Sequence, residues 1–529
     1  MRKQTKLVAV LSAAALLAMG ASMTSFAAGW EKDDAGIWHY YDSDDEMVTG
    51  EWKKDGGKWF YLDDEGEMLT DSWVDDEYYV GNDGAMLINQ WIKTTADDDV
   101  EDPEDDGDSW YYFGSKGKKT TSDSKKINGR TYYFDSDGKM EDGWYEDENE
   151  DIFYLGGEDE GWRTDSQWLW LEKPDEDDEI GGCNDDETDP CDEEGWYYFG
   201  SNGKMYKDAK KKKVNGKYYY FNEHGQMLYE WINNSKVSVG SGANLNAVLD
   251  GNNSGASPSD MLYLNQVEEG WRADGWYEID GSQDTNTDND TDWYFFDKGE
   301  AKKAEDYITT DGDGDAVYRE KFKIKASNNK YFCFDQYGRM QTGLQKLDDG
   351  FYYFDDNGYM KTGKVSNVED DDDTFTFYFS TKNGGNGKGW TGDKSSYLYW
   401  NGKRLEADDE YRIYAYEDKT YLVNTSGKIQ KSESKKYDIE GNADDLYVDF
   451  DGDQVMGLYT DKDHKKPYNS GIMKVTLPHI ALYDHNYVAK ADGIIDGKAI
   501  SDDTEVEIAT SEVTTSTSSR STTEVSVSK

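Results

Sequence analysis

Short runs of ring-bearing and apolar residues recur along the chain, each followed by polar turn residues. They read WHYY from Trp38, WFYL from Trp59, EYYV from Glu77, WYYF from Trp110, TYYF from Thr131, IFYL from Ile152, WYYF from Trp196 and YYYF from Tyr218. MLYL from Met261, WYFF from Trp293, YFCF from Tyr331, FYYF from Phe351 and YLYW from Tyr397 continue the series, and fainter copies reach residue 455. The turns are Asp-, Asn- and Gly-rich, as in DDEG and SDG. Turn residues beside β-favouring rings predict hairpins. Each unit is about 20 residues long: an aromatic strand, a turn and a short second strand.

Methionine marks the same period. Met68, Met86, Met140, Met205, Met227, Met340 and Met360 each close a Gly-x-Met, and Met47 fills the same slot. A lone two-stranded hairpin is marginally stable, so neighbouring units must bury one another's rings. The fold class that follows is all-β, an elongated solenoid of stacked β-hairpin repeats with acidic loop insertions. The insertions occupy 94–109, 172–195 and 278–292, between a leading Trp and its aromatic run, and read as extended hairpin tips. A larger block also repeats, EGWRTDSQW at 160–168 against EGWRADGW at 269–276. All 18 Trp lie at or before Trp400, which sets the last part of the chain apart. The expected organisation is a signal peptide at 1–27, an aromatic repeat array at 28–405, degenerate C-terminal repeats at 406–500 and a Ser/Thr-rich flexible tail at 501–529.

Composition narrows the function. Arg2, Lys3 and Lys6 precede an apolar run from Leu7 to Met19, and Ser25-Phe26-Ala27 supplies small residues for cleavage. This pattern predicts export, with no transmembrane segment left after cleavage. Loss of those three bases takes the formal charge from −55 to −58. Such an acidic chain repels phosphate backbones, which argues against nucleic acid, and it attracts cations. Aromatic residues are 15% of the chain, too many for disorder. Cys183 and Cys191 flank CNDDETDPC and are predicted to form a disulfide in an oxidising compartment. Cys333, inside YFCF, is predicted to be a small buried residue.

The GW, GxWYYF and GxMxTG elements together resemble the choline-binding, or cell-wall-binding, repeats of Gram-positive surface proteins, over about residues 29–405. They are also similar to the glucan-binding repeats of streptococcal glucansucrases and the carbohydrate-binding repeats of clostridial toxins. The resemblance implies an aromatic cage between successive hairpins, built from the GW Trp, the Trp heading the run and the third aromatic of the following run. Rings facing a quaternary ammonium attract it by cation–π interaction. Carried onto this chain, the cages are Trp30, Trp38 and Tyr61; Trp52, Trp59 and Tyr79; Trp91, Trp110 and Tyr133; and Trp168, Trp196 and Tyr220. The pattern breaks where Trp73 meets Glu77, where Trp144 meets Ile152, where Trp231 meets Met261 and where Cys333 follows Trp276 and Trp293. Taken singly, a ring at period-2 spacing in a hairpin is more often stacking core than ligand cage.

The resemblance implies a non-catalytic protein, secreted to the Gram-positive cell wall or surface, that grips choline-bearing teichoic acid through several weak cages at once. The alternative is a carbohydrate-binding protein or adhesin that stacks the same rings on glucan or host glycan. No cofactor is implied. Asp311, Asp313 and Asp315 imitate a calcium loop, but Ala316 replaces its Gly and Phe322 its bidentate Glu. Weak binding of divalent cations at the acidic loops is the most that they suggest. The five His have no metal-ligand spacing, and no nucleophile motif is present.

Overall fold

The computed structural model describes residues 29–95, 108–174, 180, 192–233, 261–280, 291–310, 316–370, 373–382, 386–416, 419–484 and 505–509. The 1–27 segment, both cysteines of the predicted disulfide, the calcium-like aspartates and most of the acidic insertions lie outside these residues. The chain forms two compact units. Unit 1 comprises Met1–Ile232, Lys236–Val248 and Leu264–Trp271, and unit 2 comprises Asn233–Ser235, Leu249–Tyr263 and Arg272–Lys529.

Unit 1 is a succession of antiparallel hairpins. They are β1 (Trp30–Lys32) with β2 (Trp38–Tyr40), β3 (Glu51–Asp55) with β4 (Lys58–Leu62), β5 (Ser72–Val74) with β6 (Tyr78–Val80), and β7 (Gln90–Thr94) with β8 (Ser109–Phe113). Next come β9 (Asp123–Ile127) with β10 (Arg130–Phe134), β11 (Trp144–Glu146) with β12 (Ile152–Tyr154), β13 (Gln167–Glu172) with β14 (Glu194–Phe199), and β15 (Ala209–Val214) with β16 (Lys217–Phe221). The β3–β4 pair shows how sequence sets the register. Gly56 and Gly57 both take positive φ, +53° and +86°, as a two-residue type I′ turn demands. Asp55 therefore faces Lys58, and Trp52 faces Tyr61. Alternation then buries Phe60 and Leu62 on one face while Trp59 and Tyr61 stay half-buried on the other.

The strand after the Asp-rich turn is shorter than the sequence pattern suggests. Past the turn at Asp63–Glu67, pairing shrinks to a single bridge between Leu62 and Met68. The reason is that the Met68 amide is engaged elsewhere: it donates to the Trp38 carbonyl of the preceding hairpin at 2.8 Å. The same bond recurs from Met86 to Trp59 (2.8 Å), Met140 to Trp110 (2.9 Å), Met205 to Ile152 (2.8 Å) and Met227 to Trp196 (2.8 Å). Gly-x-Met is thus the staple between consecutive hairpins. The glycine is required at this joint: Gly84 has φ +73°, and a Cβ there would lie 2.7 Å from Met68 Cε.

In unit 2, after β17 (Trp231–Asn233) at the division of the chain, come β18 (Met261–Tyr263), β19 (Gly275–Asp280), β20 (Thr291–Asp297) and β21 (Glu300–Ala301). Here β21 pairs with both β18 and β20, and β20 with β19. The hairpin β22 (Tyr307–Thr310) with β23 (Ala316–Tyr318) precedes β24 (Glu320–Ile324), β25 (Lys330–Phe334) and β26 (Met340–Gln341), which form one small sheet. Then follow β27 (Gly343–Leu347) with β28 (Gly350–Phe354), and a five-stranded sheet of β29 (Gly363–Asp370), β30 (Asp373–Phe379), β31 (Gly392–Lys394), β32 (Tyr397–Trp400) and β33 (Lys403–Arg404).

Beyond these the chemistry changes. Strands β34 (Tyr411–Tyr416), β35 (Lys419–Asn424), β36 (Tyr447–Asp451), β37 (Gln454–Tyr459) and β38 (Ile472–Thr476) surround a largely aliphatic core, and β39 (Glu505–Ala509) pairs with β38. It includes Ile413, Leu422, Ile439, Leu446, Val448, Val455, Leu458 and Val475, all buried. A parallel contact between β34 and β38, Tyr414 against Thr476, brings distant segments together. The region expected to hold degenerate repeats thus has a core of a different composition from the ring stacks before it.

Candidate ligand-binding site

Each GW Trp lies across the sheet from the third residue of its own run. Trp30 faces Tyr40, Trp52 faces Tyr61, Trp73 faces Tyr79, Trp91 faces Tyr112, Trp144 faces Tyr154 and Trp168 faces Tyr198. Its second contact comes from the following aromatic run, and it is the second residue of that run. Ring centroids are 5.4 Å apart for Trp30 and Phe60, 5.4 Å for Trp52 and Tyr78, and 4.9 Å for both Trp73–Tyr111 and Trp91–Tyr132. The distances are 4.8 Å for Trp144–Tyr197, 4.7 Å for Trp168–Tyr219 and 4.6 Å for Trp276–Phe332. Edge and tilted geometries of this kind suit the ring quadrupoles.

The structure therefore keeps each expected Trp pair on one hairpin and redistributes the third ring. Tyr61 sits on Trp52 rather than with Trp30 and Trp38, whose neighbour is Phe60. Tyr79 sits on Trp73, and Tyr78 takes its expected place beside Trp52. Tyr133 packs on Tyr145 and Phe153, leaving Tyr132 to Trp91. Tyr220 is buried on the face of β16 opposite Tyr219, the ring that meets Trp168 and Trp196. The cause is the two-residue period of a strand. A one-residue slip in the donor hairpin turns every side chain to the other face. At Trp276 the ring in contact is likewise the second of its run, Phe332, one position before Cys333.

The Trp heading a run completes the corner. Trp91 and Trp110 stand 6.4 Å apart at 86°, and Trp276 and Trp293 stand 6.5 Å apart at 68°. Two walls near a right angle, with a third ring from the next aromatic run, can surround a cation on its π faces. The staple brings the next Met to this corner, since its amide bonds the carbonyl of the run-heading Trp. Trp110 is further fixed by its indole N–H, which donates to Asp159 at 3.1 Å. That bond, with the Lys93 ammonium, holds the Asp159 carboxyl below its usual range. At Trp196 a third indole joins the corner: Trp170 lies 5.5 Å away at 72°.

Trp162 and Trp271, the aromatics in EGWR, lie outside the cage pattern legible in the sequence. Both join these clusters, Trp162 with Tyr132 and Trp91, and Trp271 with Tyr219 and Trp168. Their signal was present in the repeat of the block itself, at the position before the Met slot.

The joint at Trp73 carries a cation in the Met slot itself. Lys119 stands in the Met slot after Gly117, its amide donating to Glu77 at 2.8 Å. Its ammonium lies 5.3 Å from the centre of the Trp73 ring and is bonded to Asp76 at 2.7 Å, with the side chain 10% exposed. The chain thus places a lysine where a ligand ammonium would meet Trp73 and Tyr111. Replacing Glu77→Trp together with Lys119→Met should add one quaternary-ammonium equivalent per chain, counted by calorimetric titration with choline. An unchanged stoichiometry would show that this joint lacks the shape of a site.

Cys333 is fully buried among Leu347, Tyr352, Phe354 and Met360, and burial pushes its thiol up to about 12. Among the described residues, no group of three or more His, Cys, Asp or Glu is placed to hold a metal ion. No helix among them is long and apolar enough to cross a membrane.

The choline-binding repeat family model matches residues 46–86. The cell wall binding repeat model matches 28–44, 104–119, 125–140, 191–205, 212–227 and 342–360. The chain carries choline-binding and cell wall binding repeats. These repeats account for the joints at Trp30, Trp52, Trp91 and Trp168, since the matched segments hold their rings or the runs that follow them. A curated relative, Glucosyltransferase-S of Streptococcus mutans, is 26% identical over 200 residues, which is 37% of this chain and 11% of the relative. The chain thus spans a small fraction of that protein's length. Among solved structures, the modular autolysin LytC from Streptococcus pneumoniae matches at 19% identity over 65% of this chain and 56% of that one, with a TM-score of 0.34. The choline-binding domain of CbpL from the same organism matches at 25% identity over 38% of this chain and 98% of that one, with a TM-score of 0.25. Choline binding protein F from Streptococcus pneumoniae matches at 19% identity over 72% of this chain and all of that one, with a TM-score of 0.23.

Proposed function

We propose that this chain is an exported cell-surface protein whose repeats hold choline-bearing wall polymer, such as choline-substituted teichoic acid, and that it acts by binding, without catalysis. The observation that carries this reading is the recurring three-walled corner: GW Trp, run-heading Trp and the second ring of the next run, seen at Trp91–Trp110–Tyr132 and Trp276–Trp293–Phe332. Each ring contributes about 0.5–2 kcal/mol to a cation, so one corner is a site of roughly millimolar strength. Several corners on one chain engaging a repetitive polymer raise the avidity by orders of magnitude. The repeats matched by both family models support choline as the group held.

The test is a choline-agarose column with elution by free choline. Wild type should be retained, and Trp59→Ala should elute earlier while its circular dichroism stays unchanged. Passage of wild type straight through the column would sink the reading. A second reading, glycan binding by the same rings, draws on the likeness to Glucosyltransferase-S. Retention on dextran-agarose with none on choline-agarose would favour it.

A further inference from the structure

Among the described residues, three of the joints share an addition that the others lack. Strand β10 opens with Arg130, β16 with Lys217 and β25 with Lys330, each immediately before an aromatic run. Each base lies over an aromatic placed one residue before the Met slot of the next turn. The Arg130 guanidinium is 3.6 Å from the Trp162 ring centre, Lys217 Nζ is 4.7 Å from Trp271, and Lys330 Nζ is 5.8 Å from Tyr359. These aromatics adjoin the third wall of a corner. Trp162 bridges to Tyr132, Trp271 clusters with Tyr219, and Tyr359 lies 5.4 Å from Phe332. Tyr132, Tyr219 and Phe332 are in turn the rings that meet Trp91, Trp168 and Trp276. Quaternary-ammonium corner, shared ring, flanking ring and base therefore follow one another in the same order three times.

The charge of this order is unexpected for this chain. Asp and Glu number 112 against 57 Lys and Arg, yet the hairpins involved open with DSKKI, AKKKKV and EKFKI. Arg130, Lys217 and Lys330 are all exposed, and among the described residues none of the three is ion-paired to a carboxylate. Stacking on a ring fixes a cation without neutralising it. A base so held one ring beyond the third wall of a corner matches a ligand that carries an anion near its cation.

We propose that these three joints are zwitterion sites for phosphocholine, in which the corner takes the quaternary ammonium and Arg130, Lys217 or Lys330 takes the adjoining phosphodiester. This deepens the choline reading and rests on it. It also resolves an electrostatic conflict, because an acidic chain would otherwise repel the phosphates that bear the choline. A phosphodiester-linked wall polymer is the source that suits a site built three times over.

The experiment is calorimetric titration of the full chain with choline and with glycerophosphocholine at low and moderate salt. Wild type should bind glycerophosphocholine about threefold more tightly than choline, with the ratio falling as salt rises. The triple variant Arg130→Gln, Lys217→Gln, Lys330→Gln should lose that preference and keep its affinity for choline, whereas Arg130→Lys should keep the preference. Equal affinities for the two ligands in wild type would overturn the phosphate site and leave the choline reading standing. A fall in both affinities together in the triple variant would also overturn it, by showing that the bases only support the fold. Failure to bind either ligand would remove both readings. Cosedimentation should show binding to choline-substituted teichoic acid, and binding to phosphatidylcholine vesicles alone would overturn the polymer as the source.

Discussion

Tyr79→Ala costs unit 1 about 3 kcal/mol of local stability, whereas Tyr78→Ala leaves that stability nearly intact and weakens retention on choline. The two tyrosines are adjacent, so they face opposite sides of β6. Tyr79 is 4% exposed, stacks on Trp73 and Phe113, and donates its hydroxyl to Asp71 at 2.9 Å. Burial pushes that hydroxyl up to about 12, so it stays a neutral donor at working pH. Removing such a ring leaves a cavity and an unpaired carboxylate, and buried aromatic-to-alanine changes cost about 3–5 kcal/mol. Tyr78 is half-buried and forms the third wall beside Trp52. Amide hydrogen exchange across β5 to β8, read alongside choline-column retention, separates the two effects. Retention lost in the Tyr79 variant with stability unchanged would restore the other assignment of faces.

Asp370→Ala destabilises unit 2 by about 3–5 kcal/mol, the cost of leaving a buried charge without its partner. The Asp370 side chain is fully buried, accepts from Lys403 Nζ at 2.6 Å, and accepts from the Leu482 amide at 2.8 Å. Lys403 also lies 3.7 Å from the Phe375 ring centre, which leaves its ammonium little access to water. The contact with Leu482 ties the five-stranded sheet to a segment 112 residues further along the chain. The double variant Asp370→Asn, Lys403→Gln should recover most of the loss, because a neutral amide pair keeps an acceptor toward Leu482 and strands no charge. Urea denaturation of the single and double variants measures both. A loss under about 1 kcal/mol for Asp370→Ala would indicate a solvent-screened pair.

Much of the site was legible in the order of residues. The pairing of a GW Trp with a run-heading Trp follows from their places on one hairpin, and Gly56-Gly57 fixes that hairpin's register locally. Phe60 and Leu62 could be assigned to the stack from alternation alone. The third wall could not be assigned in this way. Whether Tyr78 or Tyr79 meets Trp52 depends on which face of the next hairpin turns back, and the bond from the Met86 amide to Trp59 decides this.

The repeat, the all-β class and the ring types are legible in the order of residues, because they rest on short-range spacing and turn chemistry. Only the tertiary structure decided the rest. It set the parity of the third ring, the entry of Trp162 and Trp271 into the clusters, and the ammonium of Lys119 over Trp73. It also set the aliphatic core at 411–477, closed by the parallel contact of Tyr414 with Thr476. The physical reason is common to all of these. Each depends on a contact between separate hairpins or distant strands, where a one-residue difference in register reverses which side chain is presented.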